Sequence, residues 1–179
     1  MKAMRAADLD LIFVPESGKP GLDHWQARWA AKLSSARFLG RGEGEHAAAA
    51  VARAAAAARK PIYFIAHSTG ALAVVQAAPL LSRLDVRGAL LVAPPDSAAW
   101  ATLDGGTWGE VPRERLPFPA IVIASRTDPW ASYEESQALA QSWGAELIDA
   151  GEAGRLDAAS GHGPWPEGLL RLASVFRNL

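Results

Sequence analysis

The chain has 179 residues, half of them hydrophobic and 21% charged, with a formal net charge of −1. That length suits one domain spanning 1–179 with a sizeable core, and the balanced charge, with no broad basic face, excludes nucleic acid as a partner. Cysteine is absent, which rules out disulfides, thiolate metal sites and cysteine nucleophiles and fits a cytoplasmic protein.

Asp8 to Val14 ends in a continuous apolar run and reads as a buried parallel strand. The run is too short for a signal-peptide core or a membrane span, so no membrane partner is expected. Pro15 to Gly21 is a loop. Leu22 to Ala36 reads as an amphipathic helix, with Leu22, Trp25, Trp29 and Leu33 at three- and four-residue spacing and both tryptophans facing the core. Ala36 to Leu39 is a short edge strand. Glu43 to Arg59 is an alanine-rich helix stopped by Pro61. Ile62 to Ile65 is a central strand, followed by a small-residue helix to about Leu81. Val86 to Ala93 is another buried strand. Pro94 to Pro117 is a long Pro- and Gly-rich loop of the kind that carries function. Pro119 to Ser125 is a strand. Ser132 caps a helix to Trp143, with Glu135 completing a capping box. Ala145 to Ala150 is a short strand, Gly151 to Pro164 a loop, and Trp165 to Asn178 the closing helix.

Strands that alternate with helices predict an α/β fold, a parallel sheet covered on both faces. Such folds place their sites beyond the C-terminal strand ends. No G-x-G-x-x-G follows the first strand and no G-x-x-x-x-G-K-[ST] occurs, which argues against a dinucleotide or P-loop enzyme. The informative strand end is Ala66-His67-Ser68-Thr69-Gly70. It is close to the G-x-S-x-G nucleophile elbow, with alanine for the first glycine. Small residues are needed there because the turn forces strand and helix backbones together. The turn lifts the Ser68 hydroxyl above the sheet and aims the first helical N–H groups at the same point. The plainer reading of Ser68 is a helix N-cap.

A serine needs an imidazole to take its proton and a carboxylate to orient that imidazole. Asp128 follows the next-to-last strand, in the order Ser, Asp, His; its plainer reading is a turn aspartate before Pro129. DHWQARW, FIAHSTGALAVV, LLVAPPD, VIASRTDPWASYEESQALAQSWGAEL and GEAGRLDAASGHGPWPEG together resemble the small serine hydrolases of the retinoblastoma-binding-protein type, also called YdeN-like. The resemblance runs from about Leu9 to the C-terminus and is weakest over the alanine-rich helix. It implies a compact three-layer α/β/α domain of the α/β-hydrolase kind. The parallel six-stranded sheet would have the order 2-1-3-4-5-6, with no lid. It also implies Ser68 as nucleophile, Asp128 as triad acid, hydrolysis of a carboxylester or amide, and no cofactor.

Where family members read G-H-I-N, this chain has Gly154-Arg155-Leu156-Asp157. Arginine stays protonated and is no general base, and a guanidinium at 155 is placed to fork onto the Asp128 carboxylate. Of the four histidines, His162 has the right chain order to substitute. His67 beside the nucleophile reads as structural, His24 as a packing or substrate-side residue, and His46 as solvated. Four dispersed histidines do not make a zinc site. The Thr69 N–H is one oxyanion donor, and by analogy with α/β-hydrolases Glu16 or Ser17 supplies the other. Trp100, Trp108, Trp130 and Trp165 stand on or beside strand-end loops, where they line an apolar pocket or fill the core. The leading expectation is a serine hydrolase of a small-molecule ester or amide, with a homodimer allowed. The alternatives are a catalytically inactive binding protein of the same fold and a flavodoxin-like binder.

Overall fold

The computed structural model describes residues 4–103 and 110–179, and its central strands are short apolar runs, while the two edge strands carry charged residues. Six strands form one parallel sheet: β1 (Asp10–Val14), β2 (Ala36–Phe38), β3 (Ile62–His67), β4 (Val86–Val92), β5 (Ala120–Ala124) and β6 (Glu146–Asp149). Their order is β2-β1-β3-β4-β5-β6, as expected. Side chains alternate across a strand, and the core is split accordingly. Ile12, Val14, Phe64, Ala66, Ala89, Leu91 and Val122 face one layer. Leu11, Phe13, Tyr63, Ile65, Leu90, Val92 and Ile123 face the other.

The first layer holds α2 (Ala47–Ala56), α3 (Thr69–Leu81), α4 (Ser97–Leu103) and α5 (Tyr133–Trp143). The second holds α1 (Trp25–Ala30) and α6 (Pro166–Asn178), which cover the sheet with Trp25, Trp29, Leu172 and Phe176. Among the described residues no helix is long and apolar enough to cross a membrane.

The sheet is as expected, but the helices differ at their ends. α1 spans only Trp25–Ala30 because His24 caps it, its Nδ1 accepting the Gln26 N–H at 3.1 Å, and Leu22 is left 85% exposed before it. His46, expected to be solvated within a helix, caps α2 through the Ala48 N–H instead. The expected loop from Pro94 contains α4, opened by the Asp96 carboxylate, which accepts the Ala99 N–H at 2.8 Å. Ser132 caps α5 as expected, accepting the Glu135 N–H.

Candidate active site

Ser68 sits where β3 gives way to α3, and its backbone is held at φ 54°, ψ −127°. An L-residue avoids that region, at a cost on the order of 1–3 kcal/mol, unless its surroundings enforce it. Here the Ser68 N–H donates to the Val92 carbonyl of β4 at 2.9 Å, and its own carbonyl accepts from Ala71. Two residues on, a Cβ at Gly70 would come within 2.6 Å of the Pro15 carbonyl oxygen and still closer to that of Val14. Only glycine lets α3 start this near the β1 exit loop. The Thr69 hydroxyl donates to the Glu16 carbonyl at 2.7 Å and clamps that loop to the helix start. Thr69, Glu16 and Ser17 therefore share one wall beside Ser68.

Arg155 lies over the elbow. Its Nη2 donates to Glu16 Oε1 at 2.8 Å and to Ser68 Oγ at 3.3 Å. Its Nη1 is 3.6 Å from Asp157, and the guanidinium carbon sits 3.3 Å from the centroid of the Trp130 ring. The expected fork onto Asp128 is not formed: the ion pairs go to Glu16 and Asp157, because the stack on Trp130 and the near carboxylates fix the guanidinium plane. Ser68 is 2% exposed, so its hydroxyl lies beneath Arg155 rather than standing open in a cleft.

Asp128 accepts the Trp130 N–H at 2.8 Å. Burial pushes its carboxyl up to about 6, against the Trp130 bond and the Arg155 charge, with Asp157 and Asp96 adding to the rise. The Trp130 loop is held from the other side, since the Asp96 N–H donates to the Trp130 carbonyl at 2.9 Å.

The loop that presents Arg155 is pinned at four points. Ser125 Oγ accepts the Ala153 N–H at 2.9 Å, and Thr127 Oγ1 accepts the Gly154 N–H at 3.0 Å. His67 Nε2 donates to the Arg155 carbonyl at 2.9 Å, and Trp25 Nε1 donates to the Leu156 carbonyl at 2.8 Å. His67 is thus a structural anchor, its Nε2 spent on the Arg155 carbonyl. Burial lowers its pKa to about 4, so the imidazole is neutral. His24 packs on it with ring centroids 5.0 Å apart, and burial lowers its pKa as well. Nothing local in the sequence marks Trp25 as a partner of position 156.

His162 is not bonded to Ser68. Its Nδ1 is 3.3 Å from Ser160 Oγ and its ring meets Trp165 edge-on at 6.1 Å. Among the tryptophans, Trp130 is at the site. Trp100 is buried in the α4 core, and Trp165 packs with Trp25 and Trp29 at 5.1 and 5.4 Å. These two are core, not pocket lining. Trp108 lies outside the described residues. Among the described residues, no group of three or more acidic or histidine side chains is arranged to hold a metal.

The sequence matches the family described as serine hydrolase over residues 11–174. Among solved structures, a YdeN-like hydrolase from Pectobacterium atrosepticum is 30% identical with a TM-score of 0.82, covering 94% of this chain and 91% of that one. The ydeN gene product of Bacillus subtilis is 20% identical, with a TM-score of 0.68 and coverage of 93% and 98%. The esterase domain of a Rhodothermus marinus protein is 16% identical, with a TM-score of 0.67 and coverage of 94% and 87%. These last two share the fold. None of the curated proteins matches the chain.

Proposed function

The chain belongs to the serine hydrolase family, and from that premise we propose that Ser68 attacks small, partly apolar esters or amides in a site whose usual base is replaced by Arg155. One observation carries this reading: Ser68 is held in the strained elbow conformation at φ 54° beside a helix start that only Gly70 permits. That geometry serves a nucleophile and is costly for a mere helix cap. Ser68 Oγ bonds to the ester carbonyl carbon, and the carbon–oxygen bond to the leaving alcohol breaks. The alcohol departs with the proton that Ser68 gives up, and water then cleaves the acyl-serine. The Thr69 N–H and the Glu16–Ser17 backbone face the developing oxyanion. With Arg155 on Ser68, no imidazole takes the proton directly, so turnover is slow. Asp128 keeps the triad-acid position.

The bond from Arg155 to Ser68 favours a second reading, a binding protein that has kept the fold and lost the chemistry. A fluorophosphonate probe and short p-nitrophenyl esters, applied to wild type and Arg155→His, separate the two. A restored base is expected to raise ester hydrolysis at least about 100-fold, since loss of a triad member costs several orders of magnitude. No labelling and no hydrolysis in either folded protein overturns Ser68 as nucleophile. Activity only in the variant supports the second reading. His162→Ala is expected to leave the rate within about twofold, because its ring is spent on Ser160 and Trp165; a collapse of the rate would make His162 the base.

A further inference from the structure

Gln26, the second residue of α1, is fully buried although its side chain is polar. Its Nε2 donates to the Ile65 carbonyl at 3.1 Å and to the Val14 carbonyl at 3.4 Å. Ile65 lies in β3, three residues before Ser68, and Val14 ends β1, two residues before Glu16. The pairing of these two strands stops at Val14 and Ala66. The Gln26 amide therefore adds a stitch where the ladder ends, just before one chain turns into the elbow and the other into the Glu16–Ser17 loop.

The same place is held from the opposite face of the sheet, where the Thr69 hydroxyl donates to the Glu16 carbonyl and Gly70 abuts the Val14 and Pro15 carbonyls. A single nitrogen that bridges two carbonyls must carry two protons, and among uncharged side chains only the amides supply such a nitrogen. The amide is not fully satisfied: Oε1 is buried and accepts no hydrogen bond among the described residues. A half-satisfied buried amide is a cost to the fold. A methionine would fill the space without that cost, but would leave the two strand ends unstitched.

We propose that Gln26 is a positioning residue: it fixes the Glu16–Ser17 backbone against the elbow, and so sets the gap between the two oxyanion donors. The inference rests on reading Ser68 as the nucleophile. Oxyanion stabilisation depends on donors placed in advance where the charge develops, so a looser gap weakens the transition state and leaves ground-state binding nearly unchanged.

The test places Gln26→Met, equal in length but without donors, in the Arg155→His protein. For p-nitrophenyl butyrate, kcat is expected to fall at least about 10-fold, short of the roughly 100- to 1,000-fold that deleting an oxyanion donor costs. KM should stay within about twofold, the pattern of an interaction made in the transition state. Affinity for an alkyl trifluoromethyl ketone, whose serine adduct carries the oxyanion, should fall in step with kcat. Gln26→Asn, which keeps the amide but shortens its reach, is expected to lower kcat in the same way and serves if the methionine variant does not fold. A purely structural role predicts lower stability in urea with kcat and ketone affinity per folded molecule unchanged, and that result overturns the proposal. So does a loss confined to KM. Absent labelling and hydrolysis in Arg155→His itself overturns the nucleophile reading and this inference with it, whereas an active Arg155→His that Gln26→Met leaves at full rate overturns this inference alone.

Discussion

At the scale of single residues, the elbow trades stability for geometry, and two substitutions two positions apart should move stability in opposite directions. Ser68→Gly removes the Cβ from a backbone held at φ 54°. Glycine occupies that region freely, so the variant is expected to be more stable by about 1 kcal/mol in urea titrations while losing all labelling. Gly70→Ala does the reverse. Its methyl would press on the Val14 and Pro15 carbonyls, which belong to rigid backbone and cannot turn aside. A loss of about 1–3 kcal/mol is expected, as for other overpacked sites. If Ser68→Gly is destabilising, the strain assigned to the elbow is not there. Arg155 belongs to the same scale. It donates to Ser68 Oγ, where the proposed reading would put an imidazole, and is held by Glu16, Asp157 and Trp130. The Arg155→His comparison therefore changes the chemistry while the loop around it keeps its backbone anchors.

At the scale of elements, the loop after β6 matters as much as the strands. Trp25, the first residue of α1, reaches 131 positions along the chain to the Leu156 carbonyl, and Leu156 is fully buried. Trp25→Phe keeps an aromatic ring but deletes the donor and part of the buried indole. An orphaned buried carbonyl costs about 1–3 kcal/mol, and the loss should appear both in chemical denaturation and as faster amide exchange across residues 153–157. Unchanged exchange there would mean that the other anchors suffice. The same bond shows what a sequence does not announce. The strands were legible because a parallel strand buried on both faces is a short unbroken apolar run, as in Leu11–Val14 and Ala89–Val92. The elbow was legible because its small residues are contiguous. α4 was not, since Pro94 and Pro95 suggested a loop, although Asp96 before Ser97 is an N-cap signal in plain view. Of the partners of Arg155, Asp157 lies two positions along the same loop, while Glu16, Ser68 and Trp130 are brought to it only by the sheet order. No local pattern favours Glu16 over Asp128 as its ion pair. Periodicity likewise could not tell that Trp100 and Trp165 face the core while Trp130 faces the site.

At the scale of the whole molecule, one buried group and one half-buried group set opposing pH dependences of stability. His67 is held at about 4 in the fold, against an ordinary 6.5, so it is neutral when folded. Between those values the unfolded chain takes up a proton first. Stability therefore falls as pH drops through the window, by up to about 3 kcal/mol at some 1.4 kcal/mol per unit. Asp128 acts with the other sign. Its folded carboxyl titrates near 6 against an ordinary 3.8, so the folded chain holds the extra proton and stability rises on acidification over the same range. Asp128 is half-buried and its contribution is screened by solvent, whereas His67 is 2% exposed, so the histidine prevails. Glu45, held near 2 by Arg53, enters only below its ordinary 4.5 and leaves the window from pH 7 to 5 to these groups and His24, whose lowered pKa reinforces His67. Urea titrations should show stability declining from pH 7 to pH 5. Asp128→Asn should steepen that decline by removing the opposing group and should raise stability at pH 7. His67→Gln, which keeps a donor for the Arg155 carbonyl, should flatten it. A wild-type profile that rises towards pH 5, or one that His67→Gln leaves unchanged, would mean that the imidazole under the Arg155 loop is not the buried neutral anchor its surroundings make it.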